Sequence, residues 1–161
     1  MIVIVMGVTG AGKTTVGRLL AEQLGWKFAD ADDFHPPANV EKMRQGIPLT
    51  DDDRQPWLAQ LRAAIDTWIA EKRDVVLACS ALKRSYRQEL DAGPQVQFVY
   101  LKGSRELIAE RLRARHGHFA GEQILAGQFA DLEEPEGVAA VDIGGTPAEI
   151  VAGIREMLGL A

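Results

Sequence analysis

Ile2-Val3-Ile4-Val5-Met6-Gly7-Val8-Thr9-Gly10-Ala11-Gly12-Lys13-Thr14 joins a five-residue apolar run to a glycine-punctuated loop and then to a helix-forming stretch. A continuous apolar run of strand length is what a strand buried on both faces of a parallel sheet requires. Residues 7–14 match the pattern G-x-x-x-x-G-K-[ST]. Glycines in such a loop let successive backbone N–H groups turn inward around a phosphate, and the helix that follows adds its positive end. Lys13 brings a point charge to the β- and γ-phosphates, and the Thr14 hydroxyl is of the type that ligates Mg²⁺. Gly7, Val8, Thr9, Gly10, Ala11, Gly12, Lys13, Thr14 and Thr15 are therefore the expected nucleotide contacts.

Outward from this loop, short β-branched runs alternate with stretches of helical period. Val75–Cys79 and Val96–Leu101 read as buried strands, Val138–Ile143 as a weaker one and Trp26–Ala29 as a short fifth. Between them, Thr14–Leu24, Gln55–Lys72 and Pro147–Leu158 carry apolar residues at spacings of three and four, with Thr146 as a cap for the last. Strand–helix alternation of this kind implies an α/β fold with a doubly wound five-stranded parallel sheet. Residues 1–161 read as a single domain. The polar, basic stretch Arg113–Gly121 fits a flap, within a lid insertion over about residues 113–131.

Composition narrows the partners. The 161 residues are 47% hydrophobic and 25% charged, an ordinary globular profile, and the net charge is -5. A nucleic-acid binder normally carries a basic stripe, so the reading is of no nucleic-acid partner. No apolar run approaches membrane-spanning length, and Cys79 is the only cysteine, which together predict a reduced, cytoplasmic chain with no membrane association.

The nucleotide chemistry narrows by elimination. A GTPase needs Asn-Lys-x-Asp, and the only asparagine, Asn39, precedes Val40. A motor ATPase commonly ends a strand in an acidic Mg²⁺ ligand, whereas the strand ending at Cys79 leads into Ser80. Small-molecule kinases remain. Asp30-Ala31-Asp32-Asp33-Phe34-His35-Pro36 follows the second strand, at the edge where open α/β sheets bind ligands. Asp32 is the expected acceptor of the attacking hydroxyl's proton, and Asp30 the expected partner of metal-bound water. Solvation of a polar loop is the alternative use of these acids.

In Thr50-Asp51-Asp52-Asp53-Arg54, Asp53 or Thr50 could cap the helix that contains Pro56, which leaves Arg54 free to clamp a carboxylate. Lys83 and Arg87 lie one helical turn apart past the third strand, either sharing a functional face or simply solvated. Arg111 and Arg115 are spaced to reach one side of the flap and neutralise charge on a transferred phosphoryl group. His116 and His118 have no further ligands near enough in sequence for zinc. Adenine contacts are expected from the loop after the last strand, around Gly144–Pro147.

Beyond the phosphate loop, His35-Pro36-Pro37-Ala38-Asn39, Leu49-Thr50-Asp51-Asp52-Asp53-Arg54-Gln55-Pro56-Trp57-Leu58, Cys79-Ser80-Ala81-Leu82-Lys83, Tyr86-Arg87, His118-Phe119, Gln128-Phe129 and Leu132-Glu133-Glu134-Pro135 together resemble the gluconate kinase family of P-loop small-molecule kinases. The resemblance spans almost the whole chain. It implies a nucleoside-monophosphate-kinase-like fold with a helical lid, often a homodimer. The implied activity is phosphorylation of D-gluconate at its C6 hydroxyl by ATP and Mg²⁺, giving 6-phosphogluconate for carbohydrate metabolism through the pentose phosphate or Entner–Doudoroff routes. It assigns Lys13, Thr14, Asp32, His35, Arg54, Lys83 and Arg87 to the two substrates. The chain departs from the family at Gly127, where Ser is common, and at Ala120, where Met is frequent. A shikimate or nucleoside monophosphate kinase, or an ATP-binding regulator without an acceptor, are the other readings.

Overall fold

The computed structural model describes residues 1–116 and 120–160, and within the helices it leaves the side chains of residues 115–123 undescribed. Strands β1 (Ile2–Met6), β2 (Lys27–Asp30), β3 (Val75–Ala78), β4 (Val96–Lys102) and β5 (Ala139–Asp142) form one sheet in the order β2-β3-β1-β4-β5. Every pairing is parallel, with Val3 opposite Val76 on one side and Gln97 on the other. The expected sheet is thus present, with each strand within one or two residues of its predicted bounds.

β1 is central and wholly buried because both its faces are covered. Val3 and Val5 point into a core shared with α1 (Lys13–Leu24), α5 (Arg105–His116) and α7 (Pro147–Leu158). Ile2, Ile4 and Met6 point into a second core built by α3 (Asp51–Ala70) and α4 (Arg84–Leu90), with Trp57, Leu61, Ile65 and Trp68 on the inner face of α3. Alternating side chains of one strand therefore serve two hydrophobic layers. The helices α2 (Pro37–Arg44) and α6 (Ala120–Asp131) complete the chain.

Two expectations shift. α3 begins at Asp51, four residues before the predicted Gln55, because Thr50 and Asp53 form a reciprocal capping box: the Thr50 hydroxyl accepts from the Asp53 N–H at 3.1 Å, and Asp53 Oδ2 accepts from the Thr50 N–H at 2.9 Å. The flap expected over Arg113–Gly121 is in part helical: α5 runs through Arg113 to His116 and α6 starts at Ala120. His118 and Phe119 lie outside the described residues. No helix among the described residues is long and apolar enough to cross a membrane.

Candidate active site

Because all five strands run the same way, their carboxyl ends line one edge, and the strand order reverses at β1, between β3 and β4. A crevice at such a point is where open sheets bind ligands. The loop after β1 is held there from both sides. The Gly7 N–H donates to the Ser80 carbonyl after β3, and the Thr9 N–H donates to Gln128 Oε1 on α6. Gly10 (φ +80°) and Gly12 (φ +95°) occupy the left-handed region, and a Cβ on Gly10 would stand 2.7 Å from Leu112 Cγ of α5. Only glycine meets both demands at position 10.

A cleft of about 310 Å³ gathers Thr9, Lys13, Thr14, Asp30, Asp32, Ser80 and Gln128. The Lys13 ammonium donates to the Val8 carbonyl at 3.0 Å, across its own loop. Burial pushes its pKa down, and the charge of Asp32 opposes that. Asp32 sits in a single 3₁₀ turn, Ala31–Phe34, capped by Asp30, whose Oδ1 accepts from the Asp32 N–H at 3.0 Å. Burial, with the neighbouring Asp30 charge, raises the Asp32 carboxyl above the ordinary carboxylate range despite Lys13. That is the environment of a carboxylate made more basic than usual, as a proton acceptor requires. Cys79, below the cleft, is driven by burial to a pKa of about 12 and is inert as a nucleophile.

The Thr14 hydroxyl donates to Asp30 Oδ2 at 3.3 Å. Two hard oxygen donors at the loop's end suit Mg²⁺, which takes its remaining ligands from water and phosphate. No group of three or more His, Cys, Asp or Glu among the described residues could hold a metal without such help.

A second cleft lies on the far side of Gly12, between Thr15, Arg111, Gly145, Pro147 and Ile150. It is where the loop Gly144–Pro147 was expected to meet the adenine. Arg111 lines this cleft, not the one holding Lys13 and Asp32, and its guanidinium donates to the Ile143 carbonyl at 2.5 Å. Arg115 occupies the last turn of α5, and its side chain lies outside the described residues.

The acceptor-side cations separate. Lys83 is the cap residue before α4, with extended backbone (φ −95°, ψ 145°), so the rule that places residues four apart on one helix face does not reach it. Its ammonium binds Asp51 Oδ1 at 2.9 Å. Arg54 joins the same group: NH1 donates to the Tyr86 hydroxyl at 2.9 Å, and that hydroxyl donates to Asp51. Arg87, expected beside Lys83 near the sugar acid, is instead buried, its guanidinium committed to the carbonyls of Ala81 (2.8 Å), Leu82 (3.0 Å) and Glu133 (2.7 Å). With these donors satisfied by backbone, Arg87 braces the loop that carries Ser80 and Lys83.

His35 stacks on Trp57, ring centroids 4.5 Å apart and planes 10° from parallel. Trp57 in turn donates from Nε1 to the Ala31 carbonyl at 2.7 Å. Burial and the Arg54 charge push the His35 pKa down. Sequence reading did not select Asn39, Asp51, Ser80, Tyr86 or Gln128 for the site, although all five fall inside the strings that carry the family resemblance. Each also has a partner far along the chain, such as Asp53, 14 residues from Asn39, and Thr9, 119 residues from Gln128.

Residues 9–126 match the family model described as Shikimate kinase. The chain is 43% identical to the thermoresistant gluconokinase of Escherichia coli over 98% of its own length and 93% of that protein. It is 49% identical to the gluconokinase of Gluconobacter oxydans over 82% of this chain and 75% of the relative. A crystal structure of a gluconokinase from Sinorhizobium meliloti superposes with a TM-score of 0.84 at 46% identity, covering 96% of this chain and 91% of that one. The shikimate kinase of Aquifex aeolicus, at 17% identity and a TM-score of 0.62 over 99% of this chain and 96% of that one, shares the fold alone.

Proposed function

The chain belongs to the gluconokinase family of P-loop kinases, and we propose that it transfers the γ-phosphoryl group of ATP to the C6 hydroxyl of D-gluconate. The observation that carries the chemistry is the sharing of one cleft by Lys13, Thr14, Asp30 and Asp32. In this reading the loop amides and Lys13 hold the polyphosphate, and Asp32 accepts the proton of the C6 hydroxyl as its oxygen attacks phosphorus and ADP departs. Thr14, with Asp30 through water, would hold Mg²⁺, which neutralises charge on the phosphates when bound. Arg54 and Lys83 supply the cations for the sugar acid's carboxylate, and His35 a further polar contact. Arg111 borders the nucleotide cleft, and a role for Arg115 in neutralising the transferred phosphoryl group is part of the same proposal.

The test is ADP release with ATP and a panel of acceptors. Gluconate should be turned over far faster than its stereoisomers, shikimate or nucleoside monophosphates. Equal turnover of shikimate, or nucleotide binding with no stimulation by any hydroxy acid, would overturn the reading.

A further inference from the structure

Asn39 is buried, 3% exposed, yet it makes no contact with the nucleotide cleft. Its Nδ2 donates to the Asp53 carbonyl at 2.7 Å and lies 3.2 Å from His35 Nδ1. Turning the amide over would set two carbonyl oxygens against one another at the shorter of these distances, so the nitrogen is the atom that faces both partners. Nδ2 carries two hydrogens, and these two acceptors use them. His35 Nδ1 therefore accepts, and the neutral ring carries its proton on Nε2.

The ring has no other freedom. Trp57 holds its plane by stacking, and the Trp57–Ala31 hydrogen bond holds Trp57. A proton added at Nδ1 would face the Asn39 N–H, and the charge of Arg54 of α3 opposes the added charge, as burial does. The nearby Asp53 carboxylate is already occupied by Lys42 of α2 at 2.9 Å and by the Thr50 N–H.

We propose that Asn39 is a positioning residue that makes His35 an obligatory Nε2–H donor toward the oxygens of the acid substrate. The substrate half of this statement rests on the acceptor site proposed above. A nitrogen that always carries hydrogen takes no proton from a hydroxyl, so general-base chemistry falls to Asp32 alone. His35, Arg54 and Lys83 then form a set made only of donors, complementary to a carboxylate and the lone pairs of adjacent hydroxyls.

The chain has three histidines, so long-range ¹H–¹⁵N correlation on the intact protein is tractable, with His35 assigned by its loss in His35→Gln. We expect Nδ1 unprotonated and Nε2 protonated between about pH 6 and 8, the range in which an ordinary imidazole titrates. Asn39→Asp replaces the donor with an acceptor and should move the proton to Nδ1. It should also raise KM for gluconate about 10-fold, the worth of one hydrogen bond, with a smaller effect on kcat and on KM for ATP. Wild-type protein with Nδ1 protonated would overturn the proposal whatever the variant does. A folded Asn39→Asp protein with an unchanged KM for gluconate would do the same. Wild-type protein that did not turn over gluconate would instead remove the acceptor-site reading, with the spectrum still deciding the tautomer.

Discussion

The Arg87 guanidinium of α4 reaches the Glu133 carbonyl at 2.7 Å and so ties the loop after β3 to the segment after α6. The same side chain holds the carbonyl of Ala81, a buried non-glycine residue at φ +45°. A left-handed alanine persists only when its surroundings over-determine it, and Arg87 is part of those surroundings. The loop so held places Ser80 in the cleft with Lys13 and Asp32, and Lys83 beside Asp51.

Arg87→Lys removes the planar fork, and one ammonium cannot serve three carbonyls in these directions. Leaving buried acceptors unpaired should cost about 2–3 kcal/mol. Thermal unfolding should move down by roughly 5–10 °C for a chain of this size. A direct contact with the substrate carboxylate would give the opposite pattern: an unchanged Tm and weaker gluconate binding.

Asp32→Asn should lower kcat about 10²- to 10⁴-fold while ATP still binds, as isothermal titration would read. The pH dependence follows from the raised Asp32 pKa. A base must be ionised, so kcat/KM should fall as pH drops through a value above the ordinary carboxylate range. For stability the sign is reversed. A folded-state pKa above the unfolded one means stability is lost as pH rises from the ordinary carboxylate value of 3.8 through the folded value. Above the folded value the ionised Asp32 is a burden on the fold, and there Asp32→Asn should have a higher Tm than the wild type.

Arg54→Ala should raise KM for gluconate by about 10- to 100-fold and leave KM for ATP nearly unmoved, the signature of a lost acceptor contact. Arg54→Lys should recover only part of this, because an ammonium cannot reproduce the bidentate fork. Equal changes in both KM values would contradict the clamp.

Gly10→Ala tests the loop against α5. The added Cβ meets Leu112 at 2.7–2.9 Å and Ile108 at 3.2 Å, on a backbone at φ +80°. ATP affinity should fall at least about 5-fold, since strain and displacement together cost about 1 kcal/mol or more at such a position. Measured nucleotide affinity equal to wild type would show that the loop relaxes freely.

Gly127, the departure from the family on α6, is exposed and has nothing within 4 Å of the place a Cβ would occupy. Gly127→Ala should therefore raise stability by about 0.5–1 kcal/mol through helix propensity. A lower Tm would mean that the helix needs a glycine there for a reason other than space.

Much of the molecule was legible in advance where its causes are local. β1, the loop Gly7–Thr14 and the Thr146 cap of α7 each depend on residues a few positions apart, and each lies where the sequence pattern indicated. The nearness of Thr14 to Asp30 was legible too, because a parallel sheet brings the carboxyl ends of its strands to one edge. The acceptor side was harder. Lys83 and Arg87 share a helical spacing, yet the cap falls at Lys83 and takes it off the helix, and no spacing rule reveals which residue becomes the cap of so short an element. Asn39 reads as an ordinary polar residue of α2 until the start of α3 is laid against it.

Run length, periodicity and glycine placement were thus enough to determine the sheet, its nucleotide loop and the edge on which chemistry occurs, because each reflects backbone geometry within one element. Which cation pairs with Asp51, which one braces a loop, and which side chain meets the His35 ring were decided only when segments 14 to 46 residues apart came within hydrogen-bond distance. Hydrogen bonds act over about 3 Å and depend on direction, so their pattern belongs to the packed chain and not to the order of its residues.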